Sequence, residues 1–347
     1  MILYVGLLLF ILLWIFFEKV ALKREAFIIP CVALILFATL RDYTIGTDTA
    51  TYTRFFRDAI DVNYYVFDPR IEYGYQFFVY LLLHISKQYY ILFLASSLII
   101  VPSTLYIIKK YSVNYSLSVF IYIAFAFYTF YFNTLRQGLA IAICMLGLYF
   151  FIYKKTLPYF LIVLLASTFH VSSWIMLLIY FMVHFVNIRI ELKALISFLI
   201  TFIGINFVIQ LMAQDNDRYS HYTEQADNAG GYLLMTFYSI IALFIYLNGK
   251  YLRQNNELFR VLEQTFIVGL TLVIPIVLIG TDPSGPQRIL YFFSFYVIFL
   301  IPLVLERYNS SSINLIFIIL STIYFCLVTQ SLYEIYPYVL NPIFSIF

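Results

Sequence analysis

Charge is what this chain has least of: 11% of its 347 residues are Asp, Glu, Lys or Arg, against 63% hydrophobic. So little charge is incompatible with the ordinary surface of a water-soluble domain. No long stretch alternates apolar and polar residues at period two, which excludes an outer-membrane barrel. Cysteine is scarce as well. Cys31, Cys144 and Cys326 lie in apolar runs without ligand spacing and read as small core hydrophobes, neither a disulfide framework nor a metal set. The GxGxxG, Walker, CxxC and HExxH patterns are absent, which leaves nucleotide, redox and zinc chemistry without support. No solenoid-length repeat occurs, and a net charge of +3 spread over short loops does not make a nucleic-acid surface.

What the chain has is apolar length. Mean hydropathy is +0.91, and apolar stretches of about 17–21 residues recur, as a hydrocarbon layer of roughly 30 Å selects. The expectation is an all-α polytopic membrane protein, a single integral membrane domain over residues 1–347, with about twelve spans. They fall near residues 2–17, 26–40, 89–108, 115–132, 137–153, 157–170, 172–187, 194–212, 232–248, 263–280, 289–305 and 313–333. The first run lacks a basic leader and is followed by charged residues, so it reads as a retained helix. Residues 73–86 are apolar but short: interfacial, re-entrant, or a thirteenth span. If they do not cross, the loops carrying Lys19, Lys23, Arg24, Lys109, Lys110, Lys154, Lys155, Arg189, Lys193, Lys250, Arg253, Arg260 and Arg307 share one side, the cytoplasmic one.

The outer side then holds the polar segment 41–74, beginning RDYTIGTDTATY, and a second loop, 213–231, with a lid-like composition in which His221 and Glu224 read as solvated. Of the eight basic residues on that side, seven are arginine. A guanidinium fork can grip two phosphate oxygens at once, which an ammonium cannot. The plainer reading is that these arginines are solvated and paired with the acidic excess around them.

Five segments carry candidate chemistry. In IGTDT, Gly46 permits a turn, and Asp48 is either a general base or the cap of the helix expected from ATYTRFFRDAI. In IEYGY, Glu72 stands at the start of the short apolar segment, as a dipole partner or as a base. FNTLRQGLA interrupts two spans with Asn133, Arg136, Gln137 and Gly138. A turn needs Asn133 but not Arg136, whose plainer role is to meet a lipid headgroup. STFHVSSW places His170 among hydroxyls at an outer turn, where it is a structural histidine or a functional one. TDPSGPQR ends in Arg288 at the start of a span, repeating the pattern of Arg136.

Taken together, RD…GTDT…Y at Arg41 to Tyr52, E-x-GY at Glu72 to Tyr75, FN…RQ…LA at Phe132 to Ala140, FH-x-S at Phe169 to Ser172, and Arg288 followed by Tyr291 and Phe292 resemble the EpsG-type polysaccharide polymerases of the Wzy-like group. The resemblance runs over nearly the whole chain. It departs at Tyr73, where that family usually has proline after the glutamate. It implies a GT-C-like bacterial glycosyltransferase of the cytoplasmic membrane. Such an enzyme joins oligosaccharide repeats carried on undecaprenyl diphosphate at the outer face, by inverting transfer and without a metal or other cofactor. The products would be O-antigen, capsule or exopolysaccharide, and a flippase and a chain-length regulator are the implied partners. On that reading Arg41, Arg136 and Arg288 hold the diphosphate, His170, Asp48 or Glu72 takes the acceptor proton, and Asn133, Gln137, Tyr52 and Ser172 contact substrate. A ligase using the same donor is the nearest alternative. A lipid-linked oligosaccharide flippase would need cationic residues spread through the membrane, and the mid-span positions carry almost none.

Overall fold

The computed structural model describes residues 1–215, 230–282, 285–308, 310–331 and 334–344. The protein is 78% helical, and no strand occurs among the described residues. Five helices are long and apolar enough to cross a membrane, Ile2–Ala21, Tyr90–Tyr111, Tyr115–Asn133, Glu257–Leu278 and Ser311–Gln330, and a sixth is obtained if the pair Pro286–Ser294 and Val297–Tyr308, bent by 42°, counts as one. The other apolar helices are shorter. Ile28–Thr39, Leu135–Leu146 and Thr156–Ser167 have twelve residues each, about 18 Å at 1.5 Å per residue. Several expected spans are therefore broken. Residues 137–153 divide into Leu135–Leu146 and Leu148–Ile152, and residues 172–187 begin as a 3-10 turn, Val171–Trp174.

Two compact units make up the chain, Met1–Leu148 with Leu164–Val171 and Leu305–Phe347, and Tyr149–Val163 with Ser172–Val304. In the first, α1 (Ile2–Ala21), α2 (Ile28–Thr39), α3 (Thr49–Arg57), α4 (Tyr73–Ile85), α5 (Tyr90–Tyr111), α6 (Tyr115–Ala124), α7 (Phe127–Asn133) and α8 (Leu135–Leu146) follow in order. The α6–α7 pair is central and almost wholly buried, and it is kinked at Ala126, which sits at φ 61°. By contrast, α1 and Ser311–Ser331 present rows of exposed side chains, Leu9, Leu13 and Phe16 on one and Leu315, Ile319 and Ile323 on the other. Such rows have a natural solvent in lipid.

The two ends of this unit are distinguishable. At one end, Trp14 Nε1 and Arg24 Nε each donate to the Glu18 carboxylate at 2.6 Å, and Lys109 Nζ donates to the Glu25 carbonyl at 3.4 Å. The start of α2 and the finish of α5 thus share that end. At the other, the Tyr89 hydroxyl donates to Asp42 at 2.9 Å, which joins the finish of α2 to the start of α5. The segment 334–344 straps this second end. Asp42 N–H donates to Val339 O at 2.9 Å, Asn341 N–H to Leu40 O at 2.9 Å, and Gly46 N–H to Glu334 O at 3.1 Å. Tyrosines staple the strap to the helices beneath it: the Tyr338 hydroxyl donates to Phe37 O at 2.6 Å and that of Tyr4 to Ile335 O.

In the second unit the helices Ile190–Asp215 and Glu257–Leu278 pack together around buried polar pairs. Lys193 Nζ donates to Val183 O at 3.1 Å and to Gln264 at 2.6 Å, and Arg253 grips Glu263 through Nε and Nη2 at 2.6 Å each. Buried Gln287 donates to Thr281 O at 2.7 Å and Gly230 O at 3.1 Å, which ties the turn that carries Arg288 to the end of the preceding helix and to Gly230. Most of the loop 213–231, including Arg218, His221 and Glu224, lies outside the described residues.

Candidate functional site

The polar residues of the first unit converge at the end closed by the strap. Asp42 starts the turn: its carboxylate accepts from Thr44 N–H at 3.0 Å and the Thr44 hydroxyl at 2.7 Å. Gly46 follows at φ 105°, a conformation that costs a Cβ-bearing residue strain. A Cβ there would also stand 2.4 Å from Asn133 Oδ1 and 2.7 Å from Thr49 Oγ1. The Thr49 hydroxyl donates to Phe132 O at 2.8 Å, which locks the loop onto the end of α7. Asp48 occupies the N-cap position of α3, but its side chain makes no capping hydrogen bond. Asn133 is fully buried, with its Nδ2 unpartnered.

Glu72 is the N-cap of α4 and is fixed from both sides. Before it, buried Gln76 reaches back to clamp the chain, donating to Asp68 O at 2.8 Å and Ile71 O at 2.7 Å while accepting from Asp68 N–H at 2.7 Å. After it, Gly74 lies so close to Thr168 that a Cβ would be 2.3 Å from its hydroxyl, and Tyr75 N–H donates to Thr168 O at 3.1 Å. This contact brings the His170 segment to the start of α4. One Glu72 oxygen accepts from Val171 N–H at 3.1 Å and the other from Arg136 Nη1 at 2.5 Å, in a pair whose side chains are only 12% and 13% exposed. Burial pushes the Glu72 carboxyl up, but Arg136, then His170, then backbone N–H groups outweigh it and hold the group below its ordinary value.

Arg136 opens α8, directly after the break at Thr134 that separates α7 from α8. It is also hydrogen-bonded to Tyr52 on α3 and lies 6.0 and 5.8 Å from the ring centroids of Tyr52 and Tyr75. Four separate stretches of sequence therefore meet: Tyr52, Glu72 with Tyr75, Arg136, and His170. Buried Gln137 follows Arg136 on the same turn.

Arg41 stands apart from this group. The sequence reads it as an outer-loop residue, yet it is fully buried, sandwiched between Phe93 at 3.7 Å and Phe132 at 4.2 Å, and its Nη1 donates to Ala38 O. Its Nε and Nη2 have no partner, and burial lowers the guanidinium to about 10, so it remains a cation at neutral pH. Its backbone pairs with Leu340 of the strap. Ser172 and Arg288 belong to the second unit: Ser172 in the 3-10 turn Val171–Trp174, and Arg288, half-buried, in the 3-10 turn Pro286–Leu290. Sequence reasoning did not single out Gln76 or Thr168, which help hold Glu72 in place, and it marked Gly74 only as part of E-x-GY. Nor did it single out Tyr75 beyond its place in E-x-GY.

Apolar helices with lipid-facing rows, closed at one end by a buried ion pair among tyrosines, define an integral membrane protein with a polar site. The sequence model of the EpsG family matches residues 25–340, and the chain belongs to that family. Membership supports a role in polysaccharide polymerisation. Neither a curated protein nor a solved structure matches the chain.

Proposed function

We propose that this protein is a Wzy-like polymerase. It transfers an oligosaccharide from undecaprenyl diphosphate to a sugar hydroxyl of a second lipid-linked repeat, at the outer face of the bacterial cytoplasmic membrane. The observation that carries this reading is the Glu72–Arg136 pair beside His170, since it joins three of the segments shared with the family in one small site. Transfer away from a diphosphate builds negative charge on the leaving group, and a guanidinium already fixed by Glu72 and Tyr52 meets that charge without reorganising. The acceptor hydroxyl needs a base within hydrogen-bond reach, and His170 is the assigned group. Arg41 and Arg288 are assigned as further diphosphate contacts, with Arg41 requiring an opening of its aromatic sandwich. Asn133, Gln137, Tyr52 and Ser172 are assigned to the substrate.

The topology proposed is about twelve crossings with this site outside. Asp42 and Tyr89 share one end of the first unit, so the excursion between them, α4 included, returns to where it began and adds no single crossing. A flippase and a chain-length regulator are the proposed partners. Purified protein incubated with a lipid-linked repeat should yield a ladder of polymer. One transfer and no ladder would identify a ligase, and no transfer at all would sink the enzyme reading.

A further inference from the structure

Tyr75 is a tyrosine whose ring is held but whose hydroxyl is not. The residue is 6% exposed, and its buried hydroxyl has no hydrogen-bond partner. Leaving a buried hydroxyl unmade costs about 1–3 kcal/mol, so the fold alone would be better served by phenylalanine. Everything else about the residue is fixed. Its N–H is bonded to Thr168 O at 3.1 Å, its ring meets that of Tyr52 edge-on at 6.0 Å, and the Arg136 guanidinium lies 5.8 Å from its centroid. Glu72, one turn earlier, turns its two carboxylate oxygens to Arg136 and Val171 and does not bond the Tyr75 hydroxyl.

We propose that Tyr75 is a substrate-binding residue, its hydroxyl donating to a phosphate oxygen of the diphosphate held by Arg136. This rests on the polymerase reading above. Burial pushes the phenol well above its ordinary value, so it is a donor at any physiological pH. A neutral donor beside a cation is best completed by an anionic oxygen, since such a bond is about twice as strong as one between neutral groups. The half-buried Tyr52 ring packs edge-on against that of Tyr75, beside the same guanidinium. Arg136, Tyr75 and Tyr52 then form a phosphate clamp with one fixed cation and one fixed phenol.

The test uses the full chain in detergent or nanodiscs, with inorganic diphosphate as probe and Tyr75→Phe as variant. Tyr75→Phe should melt at the wild-type temperature or above, because it removes an unsatisfied group. Its diphosphate affinity, read from the ligand-induced melting shift, should fall about tenfold, and Arg136→Ala should abolish the shift. Any one of three results overturns the proposal: no diphosphate shift in the wild type, equal shifts in wild type and Tyr75→Phe, or a Tyr75→Phe protein that melts several degrees lower. Lipid-linked transfer is measured on the same preparations. If only the KM for the acceptor rises while diphosphate affinity holds, the hydroxyl serves a sugar and the phosphate assignment is wrong. A diphosphate effect that depends on Tyr75, in a protein that transfers nothing, would leave the clamp standing and sink the polymerase reading.

Discussion

Arg136 donates to Glu72 at 2.5 Å across 64 positions of sequence, and both side chains are nearly buried. A pair removed from water in this way is costly to break, because the surviving partner becomes an uncompensated charge. Arg136→Ala should therefore destabilise the protein by about 3–5 kcal/mol, more than Glu72→Gln, which leaves a neutral acceptor for the guanidinium. Thermal melting of the purified variants checks the order.

Arg136→Lys retains the charge but not the fork. The guanidinium bonds both Glu72 and Tyr52 and, in the proposed reaction, faces a diphosphate as well, and one ammonium cannot cover those directions. We expect polymer yield to drop at least tenfold, roughly the loss of one charge-assisted bond. Unchanged polymer length and yield from correctly inserted Arg136→Lys and Arg136→Ala would return Arg136 to a headgroup anchor.

The pair also sets a pH dependence whose sign is fixed. Glu72 is held below its ordinary 4.5, so the stability it contributes is fully present above that value. It is lost as pH falls through the lower folded value, where the carboxyl protonates. A melting profile from neutral to strongly acid pH should show a loss below about pH 4.5 that Glu72→Gln reduces. An equal loss in both proteins would place the acid sensitivity elsewhere.

Some of this was legible in the sequence and some was not, for identifiable reasons. Glu72, Arg136 and His170 stood out because charge is rare in an apolar chain, and α3 was visible in ATYTRFFR, whose helix is Thr49–Arg57. The burial of Arg41 was not legible because an arginine at a helix end ordinarily reaches solvent, and only the tertiary fold closes Phe93 and Phe132 over it. The break at Gly147 inside the expected span 137–153 and the bend inside 289–305 were not legible, because composition does not record a backbone break. Tyr75 is one of 33 tyrosines, and nothing local marks its hydroxyl as unmet.

The strap could not be anticipated, because its bonds to residues 40–46 are made by backbone groups that carry no sequence signature. Its staples, however, are side chains. Tyr4→Phe and Tyr338→Phe each delete one hydroxyl bond to the main chain, and each should cost about 1 kcal/mol. Combined, they should raise the labelling of a cysteine placed at exposed Thr47 and lower transfer in proportion. Unaltered labelling with full activity would show that the turn at Gly46 holds itself.

The acceptor base is the sharpest choice the site presents. Glu72 is a poor one: both oxygens are occupied, and Arg136 and His170 hold its carboxyl below the ordinary value, so it grips protons weakly. Asp48 leaves its carboxylate out of the cap of α3 and sits on the Gly46 turn, one helical turn before Tyr52. His170 is half-buried, one residue from the Val171 N–H that Glu72 accepts, and an imidazole is the side chain suited to proton abstraction near neutral pH. His170→Ala should therefore lose at least 100-fold in single-turnover transfer, within the range general-base catalysis supplies, while binding the lipid-linked donor as the wild type does. Asp48→Asn should bind and transfer at reduced but measurable rates. Glu72→Gln should fail mainly through weakened donor binding as Arg136 loses its anchor. Near-normal transfer by His170→Ala, with Asp48→Asn inert yet able to bind donor, would move the base to Asp48.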